Sequence, residues 1–153
     1  MLNEIRAVLI PTAKERKLLL PNAMVAEVMT YREPEPVKTG ADWVVGTIDW
    51  RGSQLYVIDF ARLTHAEGED SGLASKNIAV IKTINYADKL SHFAVVSKGI
   101  PKLQLVSRGD MQLHEDRPIK HNAIASLVSV QEETADIPNM NYLESNIIAV
   151  QEQ

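Results

Sequence analysis

The sequence predicts a mainly β protein of nine or ten short strands in closed or packed antiparallel sheets. Its apolar segments are short, rich in valine and isoleucine, and separated by glycine, proline, asparagine and aspartate. No long amphipathic stretch keeps a 3.6-residue period, which disfavours a helical bundle. With 153 residues, the chain is long enough for one ordinary domain or for two small ones that share a core.

The first predicted element is a β-hairpin near the start of the sequence. Its first strand covers Ile5–Ile10 and is expected to stop at Pro11, and its second covers Lys17–Leu20 and is expected to stop at Pro21. Both stops follow from the missing N–H of proline, which cannot donate to a β-ladder. Asn22 is a candidate cap for a short helical turn that continues to residue 27, and an extended segment follows over residues 28–31.

A second predicted hairpin follows an extended linker that contains two prolines, at positions 34 and 36. Its strands are Trp43–Trp50 and Gln54–Phe60, joined by a turn over residues 51–53. Residues 66–76 are small and polar, and we expect them to form a mobile loop or the boundary between two subdomains of a single 1–153 domain.

The remainder of the chain predicts another hairpin and three more strands. The hairpin pairs Asn77–Ile84 with Ser91–Ser97 across a turn at residues 85–89. The further strands are predicted at Leu103–Val106, Ala123–Val130 and Asn146–Val150. Little sequence follows the last of these, so any C-terminal helix is expected to be short or missing.

Composition and charge exclude several classes of function. The absence of cysteine excludes disulfide scaffolds, cysteine nucleophiles and thiolate metal sites. Residues 1–76 carry 9 basic and 11 acidic side chains and residues 77–153 carry 7 and 9, so each half is −2. Without a basic element, and with 5% aromatic residues, nucleic-acid binding is not expected. The sequence shows neither a signal peptide nor a membrane span, so we expect a soluble cytoplasmic protein without direct membrane insertion.

The polar side chains give little sign of catalysis, of a metal or of a cofactor. None of the histidines (His65, His92, His114 and His121) stands beside a recognisable nucleophile motif. The segment 114–116 with His121 contains possible metal ligands, but an intervening proline and the lack of helical spacing favour a solvated loop. A small β-barrel enzyme or ligand-binding domain that uses His92 or His114 stays open as an alternative function.

The densest motif lies at the turn of the second predicted hairpin, in the segment Val45–Gly52. Residue physics alone favours a tight turn from which Arg51 extends into water. The functional interpretation makes Arg51 an interaction anchor that projects from a rigid turn, a role that arginine often has at interfaces.

Several segments, in order, resemble the CheW family of bacterial chemotaxis coupling proteins. Met24–Val28, which follows the first hairpin, resembles the Val-x-Glu-Ile or Val-x-Glu-Val run of the family. The family pattern Gly-x-x-Asn-Leu-Arg-Gly resembles Val45–Gly52, and its Val-Pro-Val-Ile-Asp-Leu resembles Leu55–Phe60. Residues 78–111 resemble a later hairpin and strand of the family, and Met140–Glu144 falls where a closing segment is usual.

The resemblance implies a fold of two packed five-stranded SH3-like β-barrels with short helices. It also implies a non-enzymatic adaptor that bridges the cytoplasmic tip of a chemoreceptor and the regulatory domain of a CheA-type histidine kinase, at membrane-associated receptor arrays. Carried over by position, the partner-binding residues are Glu27, Val28, Val45, Ile48, Arg51 and Gly52. In this interpretation an apolar groove of Val28, Val45 and Ile48 accepts a receptor helix, and Arg51 adds charge-assisted hydrogen bonds.

The sequence departs from the family pattern at the same turn. Asp49 and Trp50 replace the usual Asn-Leu, and Tyr56 stands where proline is common. These departures suggest a divergent member, such as those of chemosensory systems that control type IV pili and twitching. A purely structural or oligomer-forming β-module stays open as a third interpretation, because it differs from an adaptor only in its partners.

Overall fold

The computed structural model describes residues 4–65, 76–107 and 109–153. Eleven strands and two helices make up this portion of the chain, with a 3-10 turn at Asn22–Met24. The strands are β1 (Glu4–Ala13), β2 (Arg16–Pro21), β3 (Val25–Thr30), β4 (Val44–Trp50), β5 (Ser53–Ile58), β6 (Asn77–Lys82), β7 (His92–Ser97), β8 (Lys102–Ser107), β9 (Met111–Leu113), β10 (Ile124–Val130) and β11 (Glu133–Pro138). The helices are α1 (Phe60–Leu63) and α2 (Met140–Gln151), and neither of these described helices is long and apolar enough to cross a lipid bilayer.

The strands form two sheets that curl into two packed β-barrels, which confirms the predicted fold class. The six-stranded barrel has the order β8-β1-β2-β11-β10-β9, and the five-stranded barrel has the order β3-β6-β7-β5-β4. The expected five strands per barrel is corrected for the first of these, whose sixth strand is the three-residue β9. The expectation of antiparallel sheets is also corrected, because β2 with β11 and β5 with β7 pair in parallel. All strands of the five-stranded barrel lie between β2 and β8 in the sequence, so the six-stranded barrel is assembled from both ends of the chain.

The chain passes between the two barrels after β2 and again after β7. The boundary or loop expected at residues 66–76 falls on residues 66–75, which lie outside the described residues. The strands on either side of that segment, β5 and β6, both belong to the five-stranded barrel.

Four strands are buried on both faces, which explains their unbroken apolar sequences. Along β6, Ile78 and Val80 face the interior of the five-stranded barrel, whereas Ala79 and Ile81 face a central core between the barrels. In β1, Ala7 and Leu9 face the interior of the six-stranded barrel, whereas Val8 and Ile10 face the same central core. Strands β2 and β7 follow the same rule, so the two barrels are joined through side chains on their outer faces.

The predicted stop of the first strand at Pro11 is wrong, because β1 continues to Ala13. The Pro11 carbonyl accepts a hydrogen bond from Lys98 N at 2.7 Å, so this residue turns its backbone polar groups away from β2. In an antiparallel strand the N–H and C=O of one residue point the same way, so the missing N–H of Pro11 costs the β1–β2 ladder nothing. The turn that follows is shorter than expected, with Glu15 at φ 60°.

The strand predicted at Asn146–Val150 is also wrong, because these residues belong to the twelve-residue helix α2. Asn139 caps α2 by accepting a hydrogen bond from Tyr142 N, and α2 packs its apolar side into the central core. The expected short or missing C-terminal helix is therefore corrected. The helical turn proposed after Asn22 is shorter than expected, and the Asn22 side chain does not cap it.

Two strands escaped prediction, β9 and β11. The acidic residues around β11 look like a polar turn in the sequence, but only Gln131 and Glu132 form the turn, both with positive φ. Asp136 lies inside β11 with a side chain 4% exposed, and it accepts a hydrogen bond from Arg16 at 2.7 Å. The ion pair joins β11 to the start of β2.

Helix α2 is tied to the five-stranded barrel by a fully buried carboxylate, that of Glu144. Its two oxygens accept hydrogen bonds from three successive backbone amides in the loop after β6, those of Ile84 at 3.0 Å, Asn85 at 2.9 Å and Tyr86 at 2.9 Å. The Asn85 side chain donates a fourth at 3.3 Å. Glu144 thereby satisfies loop amides that the sheet does not pair.

Candidate functional site

The Arg51 motif forms the tip of the β4–β5 hairpin. Trp50 pairs with Ser53, which leaves Arg51 and Gly52 as a two-residue turn with φ values of 47° and 82°. Two positive φ values are the signature of the type I′ turn, whose twist matches that of the flanking strands. Glycine adopts this conformation freely, whereas Arg51 adopts it at an energetic cost that the hairpin must offset.

Arg51 is held by two neighbours although its side chain is 67% exposed. Its guanidinium lies 4.6 Å from the centre of the Trp50 ring, and one of its nitrogens lies 3.1 Å from the Glu27 carboxylate. An exposed ion pair contributes little by itself, and a cation–π contact adds about 0.5–1 kcal/mol at an exposed site. Together they fix the direction in which the arginine projects.

The first glycine of the motif, Gly46, is required by a close approach of two backbones. Glu35 and Thr47 exchange two hydrogen bonds of 2.8 Å, which bring the extended linker against β4. A Cβ on Gly46 would lie 2.2 Å from the carbonyl oxygen of Glu35, and Gly46 itself has φ 153°. Glycine is therefore required at the two positions for different reasons, since Gly52 allows the turn and Gly46 allows the contact with the linker.

The linker and β3 close the five-stranded barrel against β4. Besides the Glu35–Thr47 pair, the Arg32 guanidinium donates to the carbonyl oxygen of Asp49, and Arg51 reaches Glu27 on β3. The closure thus places Glu27 and Arg51 together although 24 residues separate them in the sequence.

The other predicted partner-binding residues occupy different surroundings. Val28 is 43% exposed, and its strand partner is Ala79, whereas Glu27 lies opposite Val80, so the side chains of Glu27 and Val28 leave opposite faces of the sheet.

Val45 and Ile48 belong to the interior of the five-stranded barrel. Ile48 is 5% exposed, and half-buried Val45 packs against the same cluster. The structure therefore brings Glu27, Arg51 and Gly52 to one tip, but it does not bring Val28, Val45 and Ile48 into one exposed groove.

Sequence reasoning missed the surroundings of Trp50. The indole is 8% exposed and packs inside the barrel, and its ring centre lies 4.8 Å from that of His92 on β7. Among the described residues its Nε1 has no hydrogen-bond acceptor, so packing and ring contacts set its position. The sequence signal was the tryptophan itself, the last residue of a strand and adjacent to the arginine.

His92 is electrostatically coupled to the tip. Burial lowers the pKa of His92 below its usual value, and the positive charges of Lys82 and Arg51 lower it further. Its Nδ1 lies 3.1 Å from the Ser91 hydroxyl. The imidazole is therefore neutral at neutral pH.

The remaining histidines lie elsewhere. His114 follows β9 of the six-stranded barrel and is hydrogen-bonded to Ser129, whereas His92 belongs to the five-stranded barrel. His121 packs edge-on between His65 and Tyr142, with ring centres 5.9 and 5.6 Å away. Within residues 4–65, 76–107 and 109–153, no group of three or more possible ligand side chains could hold a metal ion.

A cavity of about 230 Å³ lies beside the β1–β2 turn of the six-stranded barrel. Arg16, Lys17, Arg117 and Lys120 line it together with Glu15, Asp136 and apolar side chains. Neither His92 nor His114 contributes to it, so it offers no support for a catalytic site built on those residues.

Comparison with known proteins points in one direction. A family model described as "CheW-like domain" matches residues 7–145. No curated protein matches the sequence significantly. Among solved structures, the chain is similar to the crystal structure of the scaffolding protein TtCheW from Thermoanaerobacter tengcongensis, with a TM-score of 0.73 and 13% identity over 94% of this chain and 88% of that chain. At this identity the structural match speaks for the fold alone.

Proposed function

The chain belongs to the CheW-like domain family, and we propose that it is a non-enzymatic scaffold of a bacterial chemosensory system. In this role it couples the cytoplasmic tip of a chemoreceptor to the regulatory domain of a CheA-type histidine kinase. The family match over residues 7–145 supports a scaffold, and the two-barrel body supplies the rigid surfaces that such a protein needs. It would work in the cytoplasm, recruited to membrane-associated receptor arrays.

The observation that carries the proposal is the fixed and exposed arginine at the β4–β5 tip. A side chain 67% exposed in solution, yet positioned by a ring at 4.6 Å and a carboxylate at 3.1 Å, loses little further entropy when it binds. Its guanidinium donates in a fork that suits a carboxylate or backbone carbonyls of a partner helix. Arg51 is therefore the residue that we assign to receptor contact.

The other five predicted residues divide by position. Glu27 orients Arg51, and Gly52 makes the turn that presents it. Val45 and Ile48 act from inside the barrel by holding the hairpin, and Val28 offers a separate apolar contact on the face of β3 opposite to Glu27. In this proposal the main contact with the receptor is the projecting β4–β5 tip and not an open apolar groove.

The departures from the family pattern at Asp49 and Trp50 support a divergent partner. Trp50 fills the barrel interior where the pattern has leucine, and it carries the arginine on its ring. We extend the proposal to a chemosensory system that controls type IV pili, whose receptor would differ at the matching surface.

Co-sedimentation with receptor-containing membranes, together with a pull-down on a CheA-type regulatory domain, tests the proposal. Arg51→Glu should abolish receptor co-sedimentation and lower the thermal unfolding midpoint by no more than a few degrees, because the exposed ion pair and ring contact of Arg51 stabilise the fold only weakly. Arg6→Glu, which also reverses an exposed arginine but on β1 of the other barrel, is the matched control and should bind normally.

Two results would contradict the proposal. Unimpaired receptor binding by Arg51→Glu would remove the assignment of the tip. Failure of the wild-type chain to bind any receptor or kinase regulatory domain from the same cell would remove the coupling function and leave a β-module of another role.

A further inference from the structure

The Trp50 indole has two basic neighbours. The Arg51 guanidinium lies 4.6 Å from its ring centre, and the His92 imidazole lies 4.8 Å from it at an interplanar angle of 51°. Arg51 is always charged, whereas His92 gains its charge only on protonation. When His92 is neutral, Arg51 is therefore the only cation of the two side chains that contact the Trp50 ring.

We propose that the Trp50 ring is a proton-sensitive seat for Arg51, so that a proton on His92 drives the guanidinium off the ring and weakens partner binding at the tip. The proposal rests on the proposed function for its last step, the loss of partner binding. Its first step, the movement of Arg51, concerns the isolated protein and stands or falls without any partner.

The charges around the imidazole favour this outcome. Lys82 is the strand partner of His92 on β6, and Arg51 projects from the β4–β5 turn, so a protonated ring meets a like charge from each side. The one carboxylate of the cluster, Glu27 on β3, is already bonded to Arg51. Ser91 offers only a neutral hydroxyl to Nδ1. Arg51 is the cation that yields, because its side chain is 67% exposed and moves into water, whereas His92 is fixed in a central strand.

The position of Trp50 allows the ring to respond. Its Nε1 has no acceptor among the described residues, so no hydrogen bond fixes the indole against a small shift toward a charged imidazole. A cation–π contact at an exposed site is weak, so a like charge close by can offset it, and we expect protonation of His92 to lower the population of arginine on the ring about two- to fivefold.

The test follows Trp50 fluorescence against pH in a Trp43→Phe background, since the sequence contains two tryptophans. We expect a single transition with a midpoint below the ordinary histidine value, lost in His92→Gln and shifted upward in Arg51→Gln. Lys89→Gln, an exposed charge removed from the loop before β7, is the matched control and should leave the midpoint in place. In the otherwise wild-type chain the ring resonances of His92 report the same midpoint. The Hε resonance of Arg51 reports the movement, because the indole ring current shifts it while the guanidinium lies over the ring, and it should move toward its random-coil position through the same transition.

A transition that survives His92→Gln, a His92 midpoint unchanged by Arg51→Gln, or an Arg51 Hε resonance that stays in place through the transition would overturn the proposal. Partner binding then distinguishes the regulation of the tip by His92 from the proposed coupling function. The expected result is receptor co-sedimentation about two- to fivefold weaker at one to two pH units below the measured His92 midpoint than at neutral pH, and equal at both in His92→Gln. Equal binding by the wild type at both pH values refutes the regulation, whereas no binding at any pH refutes the proposed function and leaves the Arg51 movement intact.

Discussion

Replacing Glu144 by alanine is expected to be among the most destabilising single changes in this protein. The substitution removes a fully buried carboxylate and leaves three consecutive backbone amides, those of residues 84–86, without their acceptors. A hydrogen bond to a charged group is worth about 1.5–3 kcal/mol, and a buried donor left unpaired costs about 1–3 kcal/mol.

The accessibility of the loop limits the loss. Ile84 is 60% exposed, so water reaches some of this loop and restores some of the lost bonds. We therefore expect Glu144→Ala to lower the free energy of unfolding by about 3–6 kcal/mol, a large fraction of the 5–15 kcal/mol typical of a domain. Glu144→Gln keeps one oxygen but turns an NH₂ toward two donors, so about half of the loss should remain.

Urea unfolding measures the effect as a shift of the midpoint at constant slope. Glu152→Gln, an exposed acid at the end of the same helix, is the control and should change the unfolding free energy by less than about 0.5 kcal/mol. A loss below about 1 kcal/mol for Glu144→Ala would show that the loop amides are satisfied by water, and the assigned role of the carboxylate would be refuted.

Four further substitutions, at the two motif glycines, His121 and Arg16, test other regions of the structure by the same unfolding measurement. Gly46→Ala should lower the free energy of unfolding by about 2–4 kcal/mol, because its methyl would lie 2.2 Å from a carbonyl oxygen and must push the linker and β4 backbones apart. Gly52→Ala meets no atom within 4 Å and should cost only about 1–2 kcal/mol of backbone strain. Equal losses would contradict the assignment of Gly46 to the backbone contact and of Gly52 to the turn. Burial, and to a lesser extent the neighbouring His65, lowers the pKa of His121 in the folded protein, so as the pH falls the unfolded chain binds a proton before the folded one does. The free energy of unfolding should therefore be constant above about pH 6.5 and decrease below it, and the decrease should be shallower in His121→Gln. Arg16→Ala leaves the Asp136 carboxylate, 4% exposed, without its charge partner and should cost about 3 kcal/mol, whereas a loss under about 1 kcal/mol would mean that the pair is replaced by solvent.

The sequence predicted the strands that are buried on both faces best. Runs such as Ile78–Ile81 favour a strand, because every residue is apolar, most are β-branched, and a turn bounds the run. Helix α2 was mistaken for a strand over residues 146–150 because its core side contains the β-branched Ile147 and Val150. The helical signal was present upstream, where Met140 and Leu143 precede Ile147 at helical spacing and Asn139 stands at a capping position.

The candidate site was only partly predictable. The Arg51-Gly52 turn follows from local sequence, since two strand-like runs flank an arginine and a glycine. The contact of Arg51 with Glu27 depends on how the sheet curls and closes, which no local pattern encodes. The same is true of His92, which reaches Trp50 from a strand 42 positions later in the chain.

The insertion of the five-stranded barrel between β2 and β8 also sets an order of events on the ribosome. The first hairpin emerges early, but its neighbour β8 follows about 80 residues later, and β11 later still. At a synthesis rate of about 5–20 residues per second, the outer edges of β1 and β2 wait roughly 5–20 seconds for their partners. The barrel made of β3–β7 is complete before then. A nascent chain of this protein thus carries one finished barrel beside an open, apolar hairpin. During this interval a ribosome-associated chaperone would bind the hairpin, or the hairpin would associate prematurely with another chain.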